Sequence, residues 1–189
     1  MSREVLLFHH ALGLTPGVLS IADDLRAAGH TVHTPDLFGG RTFDSVIEAV
    51  THAHDIGLDE ITALGVAAAA DLPHDVVYAG FSLGVLPAQK LAQLRPGAGG
   101  ALLFHSCLPL ETFGPWPAGV PVQVHAMDED PFFVDDGDLA AAEALVAAVP
   151  GAELHLYPGK GHLFADPSRG DHDPDAAALL LRRVLAFLN

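Results

Sequence analysis

The sequence predicts an α/β protein built on a mostly parallel sheet with helices on both faces. Three observations carry this. Short apolar runs alternate with helix-period segments along the whole chain. Half of the 189 residues are hydrophobic, enough for a sizeable core. Glycine and proline punctuate the segment ends. The length is that of one domain, 1–189, with no linker, repeat or low-complexity stretch.

The expected strands are Glu4–Phe8, Thr31–Thr34, Asp75–Ala79, Gly100–His105, Val120–His125 and Glu153–Tyr157. The expected helices are Gly17–Ala28, Phe43–His54, Gly57–Ala70, Leu83–Leu94, Asp138–Val149 and Asp173–Phe187. Gly29 stands where a helix C-terminal glycine belongs, and Pro96-Gly97 stops the fourth helix. No stretch is long enough for a large cap domain. The longest irregular stretch, Leu108–Pro117, is either a pocket wall or a surface connection.

The most informative residues are Gly80-Phe81-Ser82-Leu83-Gly84. An apolar strand precedes them and a helical segment follows. Strand, Gly-x-Ser-x-Gly and helix in series make the nucleophile elbow of α/β-hydrolases, with Ser82 raised above the sheet edge. Bulky neighbours would clash in so tight a turn, hence the glycines.

An elbow needs an acid and then a base further along the chain. His162 follows the strand Glu153–Tyr157 in a glycine-rich loop, where a general base belongs. The acid is expected after Val120–His125, in Met127-Asp128-Glu129-Asp130. Asp130 is the choice, with Asp128 and Glu129 as rivals. A serine hydroxyl is a poor nucleophile at neutral pH. His162 would take its proton and later return it to the leaving group, while Asp130 would fix the imidazole's tautomer.

Together with His9-His10-Ala11-Leu12-Gly13-Leu14, Thr34-Pro35-Asp36-Leu37-Phe38 and Tyr157-Pro158-Gly159-Lys160-Gly161-His162-Leu163-Phe164, these segments carry a resemblance. The chain resembles a small member of the dienelactone hydrolase family of α/β-hydrolases, over nearly its whole length. The resemblance implies the Ser82, Asp130, His162 order and hydrolysis of a small ester, lactone or thioester through an acyl-enzyme. It favours Asp130, because Pro131-Phe132 follows it as in the family motif. It implies an oxyanion hole made by the backbone N–H groups of Leu83 and Ala11. Three departures stand out. The family's best-known enzymes carry cysteine where this chain has Ser82. They carry a glutamate at the position matching His10. They also carry an arginine shortly after the catalytic histidine, at about Asp166.

His10, Arg41 and Phe132 are therefore the substrate-pocket candidates. Arg41 is expected to be the cation within reach of a substrate carboxylate, and Asp166 is expected to repel one. His52 and His54 point to different sides of a helix, so no metal site is expected, nor any cofactor. Cys107 reads as a buried structural thiol.

With 9 Lys plus Arg against 24 Asp plus Glu, the formal net charge is −15. That argues against nucleic acid and anionic membrane surfaces and leaves a small molecule as partner. A homodimer is compatible with these features but not indicated by them. The single cysteine fits a reducing compartment. The N-terminal segment, Met1-Ser2-Arg3-Glu4, reaches an apolar run too short for a signal sequence. A cytoplasmic protein is expected. The alternative reading is a binding or regulatory module that keeps the fold with little or no turnover.

Overall fold

The fold is seen in a computed structural model that describes residues 2–189; Met1 lies outside them. Among the described residues, six parallel strands form one sheet in the order β2-β1-β3-β4-β5-β6. They are β1 (Glu4–Phe8), β2 (Thr31–His33), β3 (Val77–Phe81), β4 (Gly100–Phe104), β5 (Val122–Met127) and β6 (Glu153–Tyr157). Parallel neighbours need crossover connections, and helices supply them. These are α1 (Pro16–Ala27), α2 (Val46–Ile56), α3 (Leu58–Ala68), α4 (Val85–Leu94), α5 (Pro131–Val134), α6 (Asp138–Ala148) and α7 (Pro174–Leu188).

The strands alternate their side chains between two cores. Val5, Leu7, Val77, Ala79 and Leu102 pack with Val18, Ala22 and Leu25 of α1 and Leu180, Val184 and Leu188 of α7. Leu6, Phe8, Tyr78, Leu103 and Val124 pack on the other face with Ile61 of α3, Ala88 and Leu91 of α4 and Leu145 of α6. Burial on both faces is why β3, β4 and β5 read as unbroken apolar runs.

Strand order reverses at β1. The chain winds outward to β2, then crosses back to β3 and continues toward β6. In open parallel sheets ligands bind beyond the carboxyl ends of strands at such a switch point. The loops after β1, β3, β5 and β6 meet there. The Leu108–Pro117 stretch lies elsewhere. Gln89 and Gln93 of α4 donate to the Leu108, Leu110 and Gly114 carbonyls and tie it down as a surface connection.

Candidate active site

Ser82 leaves β3 with a φ of 48°, a left-handed conformation that an ordinary residue rarely adopts. The turn opens a short 3-10 segment, Ser82–Gly84, that runs into α4. The flanking glycines have a steric cause. A Cβ on Gly80 would strike the Gly84 carbonyl, and a Cβ on Gly84 would lie 2.7 Å from the carbonyl oxygens of His9 and Phe8. The elbow is thus pressed against the end of β1.

His162 follows β6 and its imidazole sits over Ser82. The Ser82 hydroxyl donates to His162 Nε2 at 2.9 Å. His162 Nδ1–H donates to Asp130 Oδ2 at 2.7 Å. Asp130 is fully buried. Its second oxygen accepts the Phe132 N–H at 3.0 Å and so caps α5. One carboxylate therefore orients the histidine and starts a helix. The rivals stand apart. Asp128 accepts the Gly159 N–H at the surface, and Glu129 pairs with Lys160. Phe132 packs against His162 with the rings tilted and their centroids 4.9 Å apart.

Ser82 opens into a cavity of about 360 Å³ lined by Leu12, Val46, Val50, Phe132, Leu163 and Arg169, among others. Ala11 also lines it. Its N–H is taken up by no acceptor among the described residues. Leu83 is the second residue of the 3-10 segment, among the N–H groups that a helical start leaves unpartnered.

His10 lines the cavity, yet both its ring nitrogens are engaged elsewhere. Nε2–H donates to Asp166 Oδ2 at 2.8 Å, and Nδ1 accepts the Leu12 N–H at 3.2 Å. Arg41 is not at this site. Its guanidinium lies over Phe43 beside His52, in a separate surface groove on α2. Arg169 is the cation of the cavity instead, donating to the Asp44 carbonyl at 3.1 Å. Asp166 does not face the cavity either. It is buried between the loops after β1 and β6, where it accepts from His10, Thr15 and Ser168. Burial alone would raise its pKa. The donors from His10, Ser168 and Thr15 outweigh burial and hold it below the ordinary carboxylate range.

Two more histidines lie beneath the site. His9 is fully buried, and its pKa is pushed down to about 4, chiefly by burial. His105 is also buried, packed 5.9 Å from the His162 ring, and desolvation keeps it neutral. Cys107 is a buried free thiol pushed up to about 12 by burial, with a smaller push from Asp138. At that value it is no nucleophile.

The sheet, its switch point and the elbow serine define an α/β-hydrolase. The profile of the dienelactone hydrolase family matches residues 2–189. The chain belongs to the dienelactone hydrolase family, and so to the hydrolases acting on ester bonds. Solved structures agree in fold. The protein m3DLH is 23% identical with a TM-score of 0.79, over 100% of this chain and 87% of its own. The dienelactone hydrolase-like promiscuous phosphotriesterase P91 from metagenomic libraries is 20% identical with a TM-score of 0.76, over 98% and 85%. Esterase PE8 is 19% identical with a TM-score of 0.67, over 99% and 91%. No curated protein matches the sequence. Among the described residues no helix is long and apolar enough to cross a membrane.

Proposed function

We propose that this chain is a serine hydrolase that opens a small, neutral ester, lactone or thioester through an acyl-Ser82 intermediate. The carrying observation is the hydrogen-bonded series from Ser82 through His162 to Asp130 at 2.9 and 2.7 Å. His162 Nε2 takes the hydroxyl proton as Ser82 Oγ attacks the carbonyl carbon. Asp130 holds Nδ1–H, so the lone pair stays on Nε2 and the imidazolium is stabilised. The Leu83 and Ala11 N–H groups receive the developing oxyanion. The imidazolium then protonates the leaving group, and water repeats the sequence to release the acid.

The cavity supports the substrate class. Its walls at Leu12, Val46, Val50, Phe132 and Leu163 are apolar, and its volume of about 360 Å³ suits a compact acyl group. Arg169 and Asp171 bring one charge of each sign. A free thiol at Cys107 and a net charge of −15 fit a small-molecule enzyme of the cytoplasm.

Labelling with a fluorophosphonate probe tests the reading, because only an activated serine reacts. Wild-type protein should label and hydrolyse p-nitrophenyl acetate, and Ser82→Ala should do neither. Wild-type protein that fails to label while properly folded would favour the non-catalytic binding module instead.

A further inference from the structure

The two histidines after β1 are both spent on the backbone of one turn. His10–Gly13 closes a four-residue turn through the Gly13 N–H and the His10 carbonyl at 3.0 Å. His9 Nδ1–H donates to the same carbonyl at 2.8 Å. Its Nε2 accepts the Leu37 N–H at 3.0 Å, which leaves Nδ1 as the protonated nitrogen. In a trans peptide the C=O and the next N–H point opposite ways. Two donors on the His10 carbonyl therefore turn the Ala11 N–H in the other direction. His10 holds the following peptide, because its Nδ1 accepts the Leu12 N–H.

Asp166 decides which nitrogen of His10 carries the proton. It accepts from His10 Nε2 and Thr15 Oγ on one oxygen, and from the Ser168 N–H and hydroxyl on the other. All four partners donate. Asp166 follows His162 on the loop after β6, so this pair also ties the loop of the base to the turn that carries Ala11. The packing is close enough that a Cβ on Gly17 would collide with the Asp166 carboxylate.

We propose that His9 and His10 are positioning residues: each, fixed in one tautomer, grips a backbone group of the 10–13 turn and keeps the Ala11 N–H aimed at the oxyanion on Ser82, with Asp166 setting the tautomer of His10. The inference rests on the hydrolase reading above and adds the device that builds its second oxyanion donor. The logic is that of a histidine held by a carboxylate in a catalytic series, applied here to a peptide group.

Two measurements test it. In ¹⁵N–¹H spectra of the wild-type histidine side chains at neutral pH, His9 should carry its proton on Nδ1 alone and His10 on Nε2 alone. A proton on His10 Nδ1 would overturn the proposal, whatever the activity. In Asp166→Asn an amide must offer N–H to donors on one side. The His10 tautomer should then switch and its Nδ1–H face the Leu12 N–H. We expect kcat to fall by about tenfold or more with KM within about twofold, since only the transition state feels the misaimed donor. His9→Leu should behave alike, and His9→Asn, which keeps a donor near the Nδ1 position, should recover part of the loss. Active wild type with variants of unchanged kcat, or changed only in KM, would overturn this role alone. Wild-type Ser82 inert to the fluorophosphonate would overturn the hydrolase reading and this role with it. Should the variants fail to fold, the wild-type spectra still decide.

Discussion

Asp130 shows how much one side chain can do at the residue scale. One oxygen holds His162, and the other caps α5 through the Phe132 N–H. Asp130→Asn keeps an oxygen for one of these and presents an N–H to the other. Because an amide can still cap α5, the protein should fold. Turnover should drop by roughly 10,000-fold, as expected when the base is held in the wrong tautomer. Asp128→Asn, which touches only the Gly159 N–H, should cost less than tenfold. Steady-state kinetics on p-nitrophenyl acetate separate the two, and equal effects would reassign the acid. That Ser82, Asp130 and His162 come together was legible in the sequence, because each stands just past a strand in a local pattern of glycine or proline. Asp166 and Arg169 were not. The partner of Asp166 is His10, 156 positions away, and nothing near Asp166 in the chain shows that it turns inward. Arg41 misled for the same reason: proximity in sequence to Gly39-Gly40 says nothing about which side of α2 its guanidinium lies on.

At the scale of elements, the order and type of strands and main helices followed from the sequence, while some boundaries moved for tertiary reasons. β3 was expected to end at Ala79 and runs to Phe81, because Gly80 pairs with Leu103 and Phe81 with Phe104. A glycine that reads as a turn in isolation is held extended by its neighbour strand. β5 begins at Val122 rather than Val120, just after Pro121, which has no N–H to give the ladder. Helix α5 was missed, although Asp130-Pro131 is a cap followed by proline in the first helical position. The elbow yields a prediction of its own. In Gly84→Ala the new methyl meets the carbonyls of Phe8 and His9 at 2.7 Å, and β1, which ends at Phe8, is held between β2 and β3. We expect a loss of about 1–3 kcal/mol in urea unfolding. Activity should fall further than stability, since the displaced carbonyls lie just before the turn that begins at His10 and carries Ala11. A variant with wild-type stability would show that the elbow is looser than its contacts imply.

The whole molecule adds long-range charge and a set of buried imidazoles. With a net charge of −15 and a cavity walled mainly by apolar groups, neutral esters should have higher kcat/KM than matched esters bearing a carboxylate. Raising ionic strength should narrow the gap. A preference for the anionic ester that disappears in Arg169→Ala would instead make Arg169 an anion site. Stability against acid follows from the histidines. Burial keeps His9 neutral in the folded state down to about pH 4, whereas in the unfolded chain it titrates at 6.5. Between those values the unfolded state binds a proton that the folded state refuses, so stability rises with pH there and is lost on acidification. For His9 alone the loss is on the order of 3 kcal/mol by pH 4. His105 and His125 are depressed in the same direction, each chiefly by desolvation, and add to it. One effect opposes them: acid also removes negative charge and relieves self-repulsion. That term is screened by salt, whereas proton exclusion from buried rings is not. Urea midpoints in high salt at pH 7.5, 6 and 5 should therefore fall in that order. A midpoint that stays level or rises toward pH 5 would mean that the buried histidines gain partners for their charged forms, contrary to the neutral tautomer that the hydrogen bonds of His9 require.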